Sequence, residues 1–402
     1  MALNLTNFDD VLTIDYMGPV REQLNQSSIL LSRLEQREED FVGKQAYLPL
    51  HTGRNWGIGS RADGGTLPAA QQQGYDNATF NASYQYGRIK ITGPTIAASR
   101  NQRGAFVKAV DSEMKGLVKD LKQSINRQIF RDGSGTMTQC AATTPSSATV
   151  EVSSTKYLKP GQVVDIIDES TTTNTNIVGG DSNTVVSVTD ADTVVLTTAV
   201  NTTTDEAIVL EDTYNLDLWG LEAIVNTANP EPGNFGGIDR DSNTFWQGNI
   251  VGPATATTLT LLLMQQAVDE SDIQGEGDVG LIITDHSIKR TYGSLLVADK
   301  RYPPGGEITL DGGYKALEFN GTPVVADKDA GLTETPALLE RMYFLDLTSL
   351  FFITMGDWDW MDQDGAVLSR VSGEDAYEAV LFRYFNMVSD RPNANTALDN
   401  VT

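Results

Sequence analysis

The chain has 402 residues, with Lys+Arg 29 against Asp+Glu 54 and a formal net charge of −25. That acidity argues against a dedicated nucleic-acid binder, whose footprint is a basic surface, while 40% hydrophobic residues and 36 glycines place the chain among globular proteins able to bury a sizeable core. The single cysteine, Cys140, forms no internal disulfide, the apolar run Leu350–Ile353 is far too short to cross a membrane, and the start MALNLTNFDD lacks the basic-then-apolar pattern of a secretion signal.

Residues 1–16 are polar with scattered apolar positions (Leu3, Leu5, Phe8, Val11, Leu12, Ile14) and read as an extended arm. Val20, Leu24, Leu31 and Leu34 form a narrow apolar stripe that predicts a helix over 18–40, with Pro19 in its first turn. Phe41 to Leu50 reads as a strand, and alternation at Phe80, Ala82, Tyr84, Tyr86, Ile89 and Ile91 reads as a second one. The Gly-rich stretch HTGRNWGIGSRADGGTLPAAQQQG between them makes this an extended hairpin with a long tip. A lone two-stranded ribbon is marginal in water, so the hairpin is expected to pack on something else, such as another subunit.

The clearest helical period runs over 99–131, where Phe106, Val110, Met114, Leu117, Leu121, Ile125 and Ile129 recur at threes and fours. Ser99 suits its N-cap and Asp132-Gly133 its end. Residues 143–213 change character: 17 of 71 are threonine, and two lysines stand against eleven acidic residues. Five short runs (Ala148–Val152, Gln162–Ile167, Thr184–Val188, Thr193–Thr197, Ala207–Leu210) separated by turns predict a small β barrel or sandwich. From 214 onward helix and strand alternate. Helices are expected over Leu259–Val268 and about 287–296, and strands at Val279–Thr284, Thr322–Ala326, Arg341–Asp346, Leu350–Thr354 and Ala376–Ser389. The last strand carries Tyr377, Ala379, Leu381, Arg383, Phe385 and Met387 on one face, and the closing RPNANTALDNVT reads as a polar tail.

No constellation in this sequence supports catalysis. Two histidines and one cysteine give no zinc or iron spacing. Asp357, Asp359, Asp362 and Asp364 cluster in GDWDWMDQDG, yet a calcium loop set against Gly365 puts Trp360 at its first ligand position and Val371 at its twelfth. A solvated acidic turn and a weak cation site both stay open there. Asp285-His286-Ser287 holds three triad residue types side by side, but triad members meet through the fold, and a strand end capping the next helix explains them better. Gly57-Ile58-Gly59 lacks the third glycine of a dinucleotide loop and lies in the hairpin tip. No catalytic, metal or cofactor residue is therefore assigned. Residues 100–131 carry eight basic side chains against three acidic ones; Lys108, Lys115, Lys119 and Lys122 give a face that is either simply solvated or turned toward a polyanion or acidic neighbours.

The order of arm, long hairpin, very long helix, β-rich insert and mixed α/β region resembles the tailed-bacteriophage major capsid proteins, with their Hong Kong 97-type capsid fold. GRIKITGPTIAASRNQRGAFVKAVDSEMKGLVKDLKQSINRQIFRDGSG is similar to the end of the family's extended loop (E-loop) running into its spine helix. STKYLKPGQVVDIID is similar to the start of the insertion domain of many members, and NFGGIDRDSNTFWQGNI to a recurring GGIDR…W segment. GTPVVADKDA, ERMYFLDLTSLFF and YEAVLFRYFNMVSDRPNANTAL resemble the closing strands.

The resemblance implies an α+β chain with an N-terminal arm over 1–45 and an E-loop over 46–92. A peripheral domain with spine helix would cover 93–142 and a small all-β insertion domain 143–213. An axial domain with connecting peripheral strands would cover 214–369, and 370–402 would return to the peripheral domain. It implies a structural protein with no enzymatic activity and no cofactor. Copies would assemble in the host cytoplasm as hexamers and pentamers into an icosahedral virion shell, around double-stranded DNA contacted non-specifically and away from any membrane. A portal at one vertex and decoration proteins would be further partners. Arg54, Trp56 and Arg61, near the loop tip, are expected to meet another subunit. Some relatives crosslink a loop lysine to a neighbour's asparagine, but residues 45–89 contain no lysine, so non-covalent contacts or decoration proteins are expected instead. With residues 1–45 preceding the loop, a separate scaffolding protein is expected in place of a fused, cleaved one. The alternative is an encapsulin-like nanocompartment shell enclosing cargo protein; the insertion and the chain length favour the virus.

Overall fold

The 14-residue strand Ala376–Ser389 organises the first of three large sheets. It pairs antiparallel with Ser83–Thr92 on one side, from Ala376 opposite Thr92 to Phe385 opposite Ser83, and on the other with Leu350–Thr354 and Asp359–Trp360. Ser369–Arg370 also pairs with it. In this computed structural model the described residues are 29–38, 41–94, 103–170, 174–230, 233–298, 307–310, 314–330, 341–356, 358–361 and 369–401. Ala379, Leu381, Arg383, Phe385 and Met387 are buried as their alternation requires, while Tyr377, at the strand's open end, is 37% exposed. The long helix Arg103–Ile129 crosses Ser83–Thr92 at Gly87, where a Cβ would come 3.0 Å from Leu117 Cδ1.

Two local expectations change here. The helix expected over 18–40 is seen only as Ile29–Arg33; residues 1–28, including most of the expected arm, lie outside the described residues. Of the expected stripe Leu34 is buried and Leu31 half-buried, with Leu30 buried beside them, and Glu35–Arg37 then extends to pair in parallel with Phe351–Ile353, with the Arg37 guanidinium 3.7 Å from the Phe351 ring centroid. The alternation read as one strand across 80–91 is two. Gly74–Asn81 pairs with Gln45–Gly53, and Ser83–Thr92 belongs to the first sheet. Ala82 and Ser83 are both buried, so the inward face switches parity there, and Tyr84 and Tyr86 emerge 53% and 54% exposed. Asn386 ties the break down by donating Nδ2 to the Asn81 carbonyl at 2.8 Å.

The β-rich module has its own core, built from Val150, Val152, Val164, Ile166, Val185, Val194, Leu196, Val200 and Ile208. Its sheet begins earlier than position 143, at Thr136–Gln139, which pairs with Glu206–Leu210 and brings Met137 and Cys140 into that core. All five strand runs read from the sequence are strands, with Thr193–Thr202 the longest.

The third sheet is seven-stranded: Asn249–Val251, Thr396–Leu398, Met342–Leu345, Leu281–Thr284, Thr322–Ala326, Tyr314–Phe319 and Glu307–Leu310 in spatial order. One face (Ile282, Val324, Met342, Phe344, Leu398) packs on helices Leu261–Gly275 and His286–Ala298. The other (Leu281, Ile283, Val325, Tyr343, Leu345, Ala397) joins a central core with Phe130, Phe235, Trp246 and Phe351. The first helix runs past the expected end at Val268 to Gly275, capped by the Thr260 hydroxyl accepting from Leu263 N at 3.3 Å. The closing segment is not a polar tail: Thr396–Leu398 is an interior strand between Asn249–Val251 and Met342–Leu345, and Ala394, Ala397, Leu398 and Val401 are fully buried.

Candidate subunit interface

The hairpin is anchored at its base and unsupported at its tip. Gln45 opposes Asn81 and Gly53 opposes Gly74, with Ala46, Leu50, Ala78 and Phe80 buried against the body. The Phe80 ring meets Phe235 edge-on at 5.0 Å, and Gly236, at φ 63°, sits where a Cβ would come 2.9 Å from Phe80 Cζ. That approach and that backbone conformation both call for glycine. Beyond Gly53 and Gly74 the pairing stops and residues 54–73 form an irregular tip. Trp56, Ile58, Leu67 and Tyr75 are exposed by 76%, 79%, 81% and 75%. These large apolar side chains on the hairpin are left to solvent in the single chain.

Arg54, Trp56 and Arg61 all lie exposed on this tip. Arg61 also shapes it, donating Nε to the Thr66 carbonyl at 2.9 Å and Nη1 to the Ser60 carbonyl at 3.2 Å. Asn55 accepts from Gly57 N at 2.7 Å, and His51 Nε2 lies 2.7 Å from Gln73 Oε1 at the neck.

On the long helix, Lys115 and Lys122 are exposed and Lys119 is half-buried; the side chain of Lys108 lies outside the described residues. Arg127 and Arg131, part of the same basic count, are buried. Arg127 Nη2 donates to Asp217 at 2.6 Å, and burial raises the Asp217 pKa ahead of the opposing pull of Arg127. The helix face is therefore less basic than its composition.

Two buried polar joints escaped the sequence reading. At the first, Asn126 of the long helix donates Nδ2 to Asp327 at 3.0 Å and to Asp329 at 2.8 Å, while Tyr157 Oη donates to Asp329 at 3.0 Å and Lys156 Nζ lies 3.1 Å from it. Helix, β-rich module and α/β module thus meet at one turn. Burial raises the Asp327 carboxyl and lowers the Lys156 ammonium, the latter against the pull of Asp329. The polar DKD directly after an apolar strand was the available signal. At the second joint, Arg341 donates to both oxygens of Asp399, at 2.5 and 2.7 Å. Burial works against the Arg341 charge, but Tyr343, Asp399 and Glu222 outweigh it.

The chemical motifs resolve structurally. Asp285 caps helix His286–Ala298, accepting from Ser287 N at 3.0 Å and Ile288 N at 2.8 Å. Gly57 and Gly59 sit in the hairpin tip. Of the acidic turn, Asp359 is described; Asp357, Asp362 and Asp364 lie outside the described residues. Among the described residues no group of three or more His, Cys, Asp or Glu could hold a metal ion, and no helix is long and apolar enough to cross a membrane.

A hairpin projecting from a sheet crossed by a long helix, beside a seven-stranded α/β module, defines the class: this is the phage-capsid fold of Hong Kong 97 type, α+β throughout. The structure is similar to the capsid subunit of cyanophage A-1(L) with TM-score 0.59 and 15% identity, covering 97% of this chain and 96% of that one. It also aligns with the encapsulin of Synechococcus elongatus (TM-score 0.48, 10% identity, 100% of this chain and 96% of that one). The capsid of a native GTA particle gives TM-score 0.48 and 10% identity, over 95% of this chain and 93% of that one. No protein-family model matches the chain, and no curated protein matches it in sequence.

Proposed function

We propose that the chain is the structural subunit of a virus shell, assembling with copies of itself as hexamers and pentamers into an icosahedral capsid around double-stranded DNA, without catalysis. The observation that carries this reading is the hairpin tip, whose Trp56, Ile58 and Leu67 are solvated in the single chain while the hairpin base is locked into the body. Ribbons of this kind gain burial from neighbours, and a closed shell repeats the contact until individually modest affinities add up.

In this reading residues 46–92 are the E-loop, the long helix is the spine of the peripheral domain, the β-rich module is the insertion, and the seven-stranded sheet with its two helices is the axial domain. The strand Thr396–Leu398 then returns to the axial sheet. Arg54, Trp56 and Arg61 contact a neighbouring copy, and Lys115, Lys119 and Lys122, with Lys108, face the packaged polyanion or an acidic neighbour. A scaffolding protein, a portal and decoration proteins are the further partners, and the virion is the location.

Sedimentation of the purified chain, followed by extraction of nuclease-protected nucleic acid from the particles, tests this. Shell-sized particles protecting double-stranded DNA are expected from the phage itself, and empty shells from the chain expressed with its scaffold. A chain that stays monomeric in both settings overturns the proposal. Particles filled with a cargo protein and no genome select the nanocompartment reading.

A further inference from the structure

The two helices on one face of the seven-stranded sheet carry opposite charge. From Leu261 to Thr284 the chain has five acidic residues (Asp269, Glu270, Asp272, Glu276, Asp278) and no basic one. From His286 to Ala298 it has His286, Lys289 and Arg290 and no acidic one. Each helix buries one row, Met264 and Ala267 on the first against the sheet with Ser271 on the turn at Ala394, and Ile288 and Tyr292 on the second. The opposite row of the first helix presents Leu262, Gln266, Asp269 and Ile273, with Leu262 78% and Ile273 72% exposed. The opposite row of the second presents His286, Arg290 and Ser294.

Neither charge pattern serves its own helix. A helix dipole is negative at the C-terminus and positive at the N-terminus. The acids crowd the C-terminal half of the first helix, and the bases lie in the first two turns of the second. Each therefore carries the sign its own dipole disfavours. Nor do they pair within the chain: among the described residues none of Asp269, Asp272, Glu276, Lys289 and Arg290 makes an ion pair. The first helix packs over Asn249–Val251 and Thr396–Leu398 and the second over Thr322–Ala326, with two strands between.

We infer that these two faces dock on each other between copies: the acidic, Leu262- and Ile273-bearing helix of one copy lies against the Lys289/Arg290 helix of the next. The inference rests on the shell reading and specifies its partner, a second copy of this chain. Burying Leu262 and Ile273 supplies the apolar part of the contact, and acid against base sets its direction. Two acidic faces repel, as do two basic ones, so a two-fold contact of either helix with itself is rejected; acid against base remains, which a shell's rings meet by a head-to-tail contact.

Three variants test it: Lys289→Glu with Arg290→Glu, Asp269→Lys with Asp272→Lys, and all four together. Because the reversals favour the helix dipoles, the free subunit should melt no lower than the wild type in each. Sedimentation velocity then reads the assembled fraction. Each single-face reversal is expected to lower it about tenfold or more, and the four-fold swap to restore it, since head-to-tail complementarity is regained with signs exchanged. The neutral pair Lys289→Gln with Arg290→Gln should give a smaller loss in the same direction. Reversals that assemble like wild type, or a four-fold swap that stays dissociated, overturn the docking while leaving the shell reading intact. A wild-type chain that never assembles overturns both.

Discussion

Replacing Trp56, Ile58 and Leu67 together by Ser separates a surface made for a partner from one made for the fold. In the lone subunit these side chains are 76%, 79% and 81% exposed, so they bury only about a fifth of their area. Full burial of such a side chain is worth about 1.5–3 kcal/mol, so each substitution should cost the free subunit only about 0.5 kcal/mol or less. In a shell the remaining four-fifths is available to a neighbour, about 1–2 kcal/mol per side chain and roughly 3–6 kcal/mol for the three. At 1.4 kcal/mol per tenfold, that weakens each contact by about a hundredfold or more. Phe80→Ala, in the same hairpin but 2% exposed and packed on Phe235, is the opposite control, with an expected cost of about 3–5 kcal/mol in the free subunit. Urea denaturation of dissociated subunits and sedimentation of assembling ones read the two quantities separately. A tip variant that loses more than about 2 kcal/mol as a free subunit, or that assembles at wild-type yield, refutes the division of roles.

Three further outcomes follow from buried groups. Arg127→Met leaves the carboxylate of Asp217 buried without its partner and should destabilise the subunit by about 3–5 kcal/mol, most of it regained in Arg127→Met with Asp217→Leu; equal losses in both, by urea denaturation, would contradict the pairing. Burial raises the Glu222 pKa ahead of the attraction of Arg341 and Arg131, and among the described residues Glu222 Oε2 has no hydrogen-bond partner. Its ionisation therefore costs the folded state stability as pH rises from the ordinary carboxylate range through the raised pKa, and the cost is complete above it. Glu222→Gln should be more stable than wild type at neutral pH and no more stable in acid; an unchanged stability–pH slope would count against this. The Cys140 thiol, pushed up to about 12 by burial and then by Glu206, should resist alkylation at mildly alkaline pH until the chain unfolds, and fast labelling of the native protein would show that the β-rich core opens.

What was legible in the sequence was whatever carried its own period. The spacing of Leu117, Leu121, Ile125 and Ile129 gave the long helix, and apolar runs gave Leu350–Thr354 and Ala376–Ser389. What depended on partners far along the chain was not. RPNANTALDNVT looks solvent-loving, yet its polar atoms are satisfied inside: Asn395 accepts from Asp346 N at 3.0 Å and donates to Ser349 Oγ at 2.9 Å, and Asp399 holds Arg341. A polar segment can form an interior strand when every polar group is paired, and composition does not reveal the pairing. The switch at Ala82–Ser83 was hidden for the same reason, since a strand that changes partners keeps its β character while its inward face flips. Of the tip residues, exposure of Trp56 followed from the Gly-rich surroundings, but the carbonyl contacts of Arg61 depend on how residues 60–66 turn. Basic count likewise overstated the helix face, because Arg127 and Arg131 turn inward.

An electron-microscopic reconstruction of the assembled particle tests the central claim most directly. The account predicts a closed shell in which residues 54–73 of every copy lie against a neighbouring copy, with Trp56, Ile58 and Leu67 covered. A shell with those tips free in solvent, or tips folded back onto their own subunit, would contradict it.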